Sequence, residues 1–560
     1  MMRFSQLLPI APGTLHGDPE KEVTGVSHDS RAVTPGQLYA ALPGANVHGA
    51  TFAPDLIRQG VDAVLTDAHG WDRITDALSG TEADRELLEK VTALIVEAPR
   101  AVLGYVSAAV FGTTSVPELI GVTGTNGKTT TTYLADGMLA ALGHRTAVIG
   151  TVAILIAGDT VPSVRTTPEA PELHALFAKM RAADVDTCTM EVSSHALSQH
   201  RVDGAHFSVA GFTNLSQDHL DFHHTMEEYF EAKATLFTRT FSDRAVIVVE
   251  DDWGDRMVAA SQVPVRTLGR DDRSEWRIEH TPGESEFLLH LGRGSDANLG
   301  PGDDANLGRG DGEGAAARAD GVPRSAVDQP ESIRLRSPLP GDFNVTNTAL
   351  AAAMLLESGI SPAELDAIGR SFAATVPGRM EIIDVSGPRA LGQSHPELLP
   401  RAIVDYSHTP DAIAKALASL DADSEELVIV FGAGGDRDRG KRFGMGQAAA
   451  READVIVLTD DNPRTEDPSA IRAAIREGID AEVAAGNARV KKIIEVPDRG
   501  TAIDETIASA HPSATVLIAG KGHETGQTVG TTVTEFDDRA RTRSALSMRL
   551  GGAQPGKVHS

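Results

Sequence analysis

Apolar positions along this chain fall into short β-branched runs separated by helix-length segments, and the runs form three series. In the first, residues 1–116, "GVDAVLTD" and "VTALIVE" read as strands between helical stretches, which predicts a small α/β unit. The second, 117–377, runs "ELIGVT", "RTAVIGT", "DTCTMEV", "HFSVAGFTN" and "RAVIVVE", each followed by a helical pattern. Such alternation predicts a doubly wound, largely parallel sheet. The third, 378–560, carries "RAIVDY", "ELVIVFG", "DVIVLTD" and "ATVLIAG" and predicts a second open α/β sheet, Rossmann-like in its winding. Between Gly292 and Glu331 the pattern stops: Gly, Asp, Ala and Arg dominate, and "DANLG" occurs twice. A segment with so little apolar surface cannot offset its ordering entropy, so a disordered insertion is expected at about 292–331. A shorter loop-like stretch, "SGPRALGQSHPE", lies at 386–397.

Length agrees with a multidomain chain, since 560 residues at roughly 150 per domain suggest three or four units. Charge narrows the partners: 79 acidic against 51 basic residues leave a formal net of -28, which disfavours nonspecific binding to nucleic acid or an anionic membrane. A phosphate-bearing ligand must therefore be met by local groups. The single cysteine, Cys188, excludes an intrachain disulfide and fits a reducing compartment. The start, "MMRFSQLLPIAPGTL", does not resemble a signal peptide, and no run approaches the roughly 18 apolar residues of a membrane span. A soluble cytoplasmic protein, without membrane insertion, is expected, and a monomer.

Chemistry enters most clearly at "LIGVTGTNGKTTTTYLADGMLAALG", 119–143. A strand runs into a glycine-rich turn and then into a helix with Leu134, Met138, Leu139 and Leu142 on one side and Gly143 as its stop. Backbone N–H groups at the helix start would cradle the phosphates of ATP, Lys128 would reach the terminal ones, and the Thr129 hydroxyl would ligate Mg²⁺. One departure stands out: the usual phosphate-loop pattern wants glycine where this chain has Val122.

Glu191 ends "DTCTMEV" at the carboxyl edge of a strand, where open sheets place ligands, and can serve magnesium as a hard oxygen donor. "NLSQDHLDFH" supplies His219 after the next strand. In "MEEYFEAKATLF", Met226, Tyr229, Phe230, Leu236 and Phe237 form a helical apolar stripe with Lys233 in its middle. A lysine on a buried face loses its proton readily and becomes nucleophilic. In the third series, "GAGGDRDRGKR", "DNPR" and "GKGHE" each follow a strand, so Arg437, Asp461, Asn462, Arg464, Gly520 and Glu524 share one sheet edge and can converge on one small zwitterionic ligand. Arg464 presents a flat fork of donors suited to a carboxylate; taken alone, its loop also reads as a solvated turn.

"GTNGKTT" resembles the phosphate-loop variant of the Mur ligases and of their relative folylpolyglutamate synthase, which join an amino acid to a carboxylate through an acyl phosphate. The resemblance runs over nearly the whole chain apart from the low-complexity insertion. It implies a three-domain architecture: an amino-terminal uridine-nucleotide domain, a central ATP-binding domain and a carboxyl-terminal amino-acid domain. It implies that Gly124, Thr125, Asn126, Gly127, Lys128, Thr129 and Thr130 bind ATP, joined by Asn347 at the base and by Arg379, Asp405 and His408 from the third domain. Phe343 stands where many relatives have histidine. Lys233 is implied to be carbamylated (N6-carboxylysine), its new carboxylate joining His219 on a second magnesium.

Ser30 and Asn46 resemble uridine-nucleotide contacts, and Thr166, Thr167, Ser193, Gln199 and Arg201 resemble contacts to a muramyl dipeptide. "DNPR" (Asp461, Asn462, Pro463, Arg464) resembles the signature of the branch that adds meso-2,6-diaminopimelate to the D-glutamate of UDP-N-acetylmuramoyl-L-alanyl-D-glutamate in peptidoglycan synthesis. Diaminopimelate has a distal carboxylate that lysine lacks; a site built to bind it can reject lysine by roughly 10⁴-fold or more. A lysine-adding sister, folylpolyglutamate synthase and a nonhydrolysing nucleotide-binding scaffold are the alternatives; "DNPR" and the extended amino-terminal domain count against the first two, and the complete set Thr129, Glu191, His219 and Lys233 against the third.

Overall fold

A computed structural model describes the chain except residues 45, 114–116, 293–331, 386–398, 422–423 and 553–560. The disorder expected at 292–331, except for Gly292, and the whole of the loop at 386–397 lie outside the described residues. Three sheets organise the rest. The amino-terminal one has five strands, with Val26–Ser27, Leu38–Ala40, Ala63–Thr66 and Thr92–Ile95 parallel in that order and Thr14–His16 antiparallel at the edge.

The central sheet has eleven strands. Its middle is parallel: Thr146–Ile149, Thr187–Glu191, Glu118–Thr123, Phe207–Phe212, Ser242–Val248 and Val265–Gly269 lie side by side. Both margins turn antiparallel: Ile154–Ile156 and Asp159–Val161 on one side and, on the other, Glu286–Leu291 and Ser332–Arg336, beyond Trp276–His280, which still runs parallel to Val265–Gly269. Side-chain alternation divides the core between the two faces. Leu119, Cys188, Phe207 and Ala245 pack on one, against the helices Ala170–Ala182 and Met226–Ala234. Ile120, Val122, Val209 and Val246 pack on the other, against Lys128–Ala141 and the almost wholly buried Asp342–Glu357. Val122 is thus a core residue of its strand, fully buried, and the phosphate turn begins after it.

The third sheet has six strands, five of them parallel in the order Arg401–Asp405, Ala514–Ala519, Glu426–Phe431, Val455–Leu458, Lys492–Glu495, with Glu381–Ile382 antiparallel outside. It is doubly wound as the alternating runs predict: Ile403, Ile429 and Leu458 face one helical layer, Val404, Val430 and Val457 the other. Among the described residues no helix is long and apolar enough to cross a membrane.

Candidate active site

Register places the candidate chemistry along one edge of the central sheet. Glu191 pairs with Val122, and Phe212 with Thr123, so the chain leaves three adjacent strands at nearly one level. The turn after Thr123 is shaped by two glycines in conformations that L side chains rarely adopt, Gly124 (φ 145°) and Gly127 (φ 91°). Neither tolerates a Cβ, which would lie 1.8 Å from Thr213 Oγ1 at Gly124 and 2.5 Å from Asn347 Oδ1 at Gly127. The next strand's exit pins the turn: Thr125 N–H donates to Asn214 O (2.9 Å), Asn126 N–H to Asn214 Oδ1 (3.0 Å), and Thr213 Oγ1 to Asn126 O (2.6 Å). Gly127 then caps the helix Lys128–Ala141, which ends as expected at Gly143 (φ 87°).

Two lysines converge behind this turn. Lys128 Nζ donates to Gly124 O and Thr125 O, both at 2.8 Å, and Lys233 Nζ donates to the same Gly124 O at 2.8 Å. Lys233 is 1% exposed and lies over the Tyr229 ring, 4.4 Å from its centroid. Burial first, and then the Lys128 charge, hold its ammonium well below the usual lysine range; burial also lowers Lys128. The stripe read from the sequence is real, with Tyr229, Phe230, Leu236 and Phe237 buried around Lys233.

Glu191, 1% exposed, faces this pair with its carboxylate oriented by Thr151, whose N–H donates to Oε1 (2.7 Å) and whose hydroxyl donates to Oε2 (3.1 Å). His219 sits in a left-handed conformation (φ 55°), and burial, with the Lys128, His195 and Lys233 charges, pulls its imidazole down to about 3 against the pull of Asp218. Asp218 was missed from sequence. Burial alone would raise its carboxyl, but His408, His219 and Lys441 outweigh it and hold it far below the usual range. His408 Nε2 stands 3.8 Å and His219 Nε2 3.5 Å from Asp218 Oδ2, so this aspartate faces a histidine from each of two domains. Its signal was its place beside His219; Thr151 had one too, at the same strand-end position that singled out Glu191.

The third domain closes the space. Arg379 stacks on Tyr406 (4.1 Å to the ring centroid) and donates Nη2 to Thr129 Oγ1 (3.4 Å), while its buried Nη1 has no partner among the described residues. Asp405 accepts from the N–H groups of Met380 (2.7 Å) and Ser407 (2.9 Å) and so orders that segment. Asn347 donates to Asn344 Oδ1 (3.1 Å), leaving its oxygen beside Gly127.

Both lysines, Glu191, His219, Asp218, His408, Arg379, Asp405 and Asn347 line one cavity of about 1380 Å³, which continues to Arg437, Asp461, Asn462, Arg464, Gly520 and Glu524 and, on the other side, to Thr166, Thr167, Ser193 and Arg201. Asn462 Nδ2 donates to Glu524 Oε2 (2.8 Å), its Oδ1 accepts from Thr528 N–H (2.9 Å), and Arg464 (φ 52°) donates Nη1 to Gly435 O (2.7 Å). Arg201 pairs with Glu169 (2.9 Å) and is oriented by Gln199 (2.6 Å).

Five predicted site residues fall outside the cavity lining. Gly124 turns its carbonyl to the two lysines, Gln199 acts behind Arg201, and the Pro463 carbonyl packs against Gly435. Ser30 and Asn46 follow adjacent parallel strands of the amino-terminal sheet, and Asn46 is exposed. Among the described residues no three His, Cys, Asp or Glu side chains cluster as a metal cage. The hard oxygens of Thr129 and Glu191 beside a phosphate loop nevertheless suit magnesium that takes its remaining ligands from phosphate and water.

Comparison with known proteins gives this arrangement its class. Family models described as "Mur ligase family, catalytic domain", "Mur ligase middle domain" and "Mur ligase, glutamate ligase domain" match residues 22–110, 122–355 and 378–522. The chain belongs to the Mur ligase family, ATP-dependent enzymes that form amide bonds. It is 42% identical over 539 residues to the UDP-N-acetylmuramoyl-L-alanyl-D-glutamate–2,6-diaminopimelate ligase of Streptomyces avermitilis, covering 95% of this chain and 94% of that one. The ligase of the same name from Corynebacterium glutamicum is 40% identical over 569 residues, covering 99% of each. A solved structure of a ligase with that name superposes with a TM-score of 0.60 at 29% identity, covering 98% of this chain and 99% of the other.

Proposed function

We propose that this enzyme adds meso-2,6-diaminopimelate to the D-glutamate of UDP-N-acetylmuramoyl-L-alanyl-D-glutamate, forming an amide at the expense of ATP. The observation that carries the reading is the single cavity that joins the phosphate loop to Arg464 and Glu524 of the third domain and to Arg201 of the second. Whole-chain likeness to ligases of that name supports it.

The chemistry has two steps. An oxygen of the D-glutamate side-chain carboxylate attacks the γ-phosphorus of ATP and ADP leaves, giving an acyl phosphate. The neutral amine of diaminopimelate then attacks the acyl carbon, and the tetrahedral adduct loses phosphate and a proton to give the amide. Lys128, held at the turn by carbonyls that a phosphate can replace, neutralises charge on the transferring group. Arg379, with one buried guanidinium nitrogen unpartnered among the described residues, adds a second cation from the third domain. Magnesium, held by Thr129 and Glu191, would supply electrostatic clamping of the phosphates. Lys233 as a carbamate would replace two ammonium groups on one carbonyl by an opposite-charge pair and would join His219 as a metal ligand.

Thr166, Thr167, Ser193 and Arg201 hold the muramyl dipeptide in this reading, with Ser30 and Asn46 toward its uridine end. Asp461, Asn462, Arg437, Gly520 and Glu524 surround the amino acid, and Arg464 grips its distal carboxylate. The test is ADP release and product mass with the UDP-muramyl dipeptide, ATP and magnesium, comparing meso-diaminopimelate with L-lysine. Product with diaminopimelate alone is expected; equal use of lysine would sink the assignment of Arg464.

A further inference from the structure

The loops after strands Glu426–Phe431 and Val455–Leu458 are fastened to each other by a pair that lies outside the cavity lining. Glu466 Oε1 accepts from Asp436 N–H (2.6 Å) and Arg442 Nη2 (2.9 Å); Oε2 accepts from Arg442 Nη1 (3.1 Å) and stands 3.3 Å from Arg439 Nε. Arg442 Nη2 donates to Gly434 O as well (3.0 Å). The two side chains are 5% and 11% exposed, so the link is shielded from solvent. Around it the loops are zipped directly: Gly435 N–H donates to Asn462 O (2.9 Å) and Thr465 N–H to Asp436 Oδ2 (3.0 Å).

What hangs from this link is the selectivity residue. Arg464 Nη1 is tied to Gly435 O, one residue along from the carbonyl that Arg442 holds, and Arg437 follows two residues later. Asp436 (φ 53°) and Arg464 (φ 52°) both occupy the left-handed region without being glycine. Such backbones persist only where the surroundings over-determine them.

We infer that Glu466, through Arg442, is a positioning residue for amino-acid choice: it fixes the Gly434–Asp436 segment against the Arg464 loop, so that the guanidinium is aimed at the distal carboxylate of a diamino diacid. This deepens the proposed function and rests on it. Loosening the link leaves the phosphate loop untouched but displaces Arg464, and misplacement by about 1 Å can cost on the order of 10²-fold in reactivity.

Steady-state kinetics on the full chain with Glu466→Gln test it, varying ATP, meso-diaminopimelate and L-lysine in turn, beside thermal denaturation. The expected result is a rise of about tenfold in KM for diaminopimelate, KM for ATP and kcat held within about twofold, and a similar drop in the preference for diaminopimelate over lysine. Should that variant not fold, Thr465→Val, which removes the exposed hydrogen bond from the Thr465 hydroxyl to the Asp436 carboxylate (2.9 Å) between the same loops, gives the same split at about threefold. Unchanged preference in a folded variant, or all KM values rising together, overturns the inference. If the unaltered enzyme makes no diaminopimelate product, the proposed function itself has failed, a result that no variant can mimic.

Discussion

At the scale of single residues, the lysine pair is the feature with the most chemical consequence. Two ammonium groups share the Gly124 carbonyl, and one of them, Lys233, is shut away from water. Its amine is therefore neutral far more often than an exposed lysine's, which is the form that adds carbon dioxide. Lys233→Ala should lower kcat by about 10²-fold or more while KM for the amino acid changes little. Carbon-13 bicarbonate NMR should show a carbamate resonance in the unaltered enzyme that the variant lacks; the same spectrum from both would remove the modification. Gly124→Ala makes a second residue-scale test. At φ 145°, with the new methyl 1.8 Å from Thr213 Oγ1, the turn must move. A loss of about 1–3 kcal/mol in denaturant unfolding is expected, with a raised KM for ATP. Lys233 was legible in the sequence because its apolar neighbours were; Asp218 was overlooked because its second histidine, His408, is 190 positions away and lies in another domain.

Among the elements, the helix Ala170–Ala182 carries a buried histidine that makes stability depend on pH. His174 hydrogen-bonds Thr113 Oγ1 (2.8 Å) and Asp203 O (3.1 Å), and burial pulls its imidazole down to about 4. An unfolded chain protonates the same group near 6.5, so between these values the unfolded state binds the extra proton. The contribution is complete above about pH 6.5 and declines as pH falls toward 4, by a total on the order of 3 kcal/mol. His223, lowered to about 4, and His523, lowered to about 3, act in the same direction. Denaturation of His174→Asn at pH 7 and 4.5 should show a smaller pH difference than the unaltered protein; an equal difference would remove His174 as a contributor. The long parallel strands were legible at this scale, since each is a continuous apolar run buried on both faces. The margins were not: Ile154–Ile156, Asp159–Val161 and Lys492–Glu495 are short and partly exposed, and take their strand form from the neighbour they pair with.

For the whole molecule, the decisive fact is that the cavity belongs to no single domain. Arg379 reaches Thr129 across 250 positions, and His408 faces Asp218 from the third domain. A nucleotide bound at the phosphate loop therefore stabilises the docking of two domains as well as one. A nonhydrolysable ATP analogue at about a hundred times its Kd should add about 2.7 kcal/mol to stability. Calorimetry should show the central and carboxyl-terminal transitions drawing together, less so in Arg379→Ala. Transitions that keep their separation with bound analogue would show that the nucleotide does not couple the domains.

What the sequence determined by itself is local. The glycines of "GTNGKTT", the lysine and threonine at fixed offsets and the helix that follows are set by neighbours a few residues apart, where backbone sterics and hydrogen bonding act directly. That the strand-end loops of the third sheet share one edge followed too, because parallel strands deliver their carboxyl ends to the same side. Tertiary structure alone decided which distant groups meet: that Lys233 reaches the carbonyl of Gly124, 109 positions before it, which Lys128 also holds, that Asn214 pins the phosphate turn, and that Arg442 and Glu466 tie two loops together. A residue's periodicity says which way it faces along its own element. Which partner waits there depends on register and domain docking, and those are fixed only when the separate cores pack.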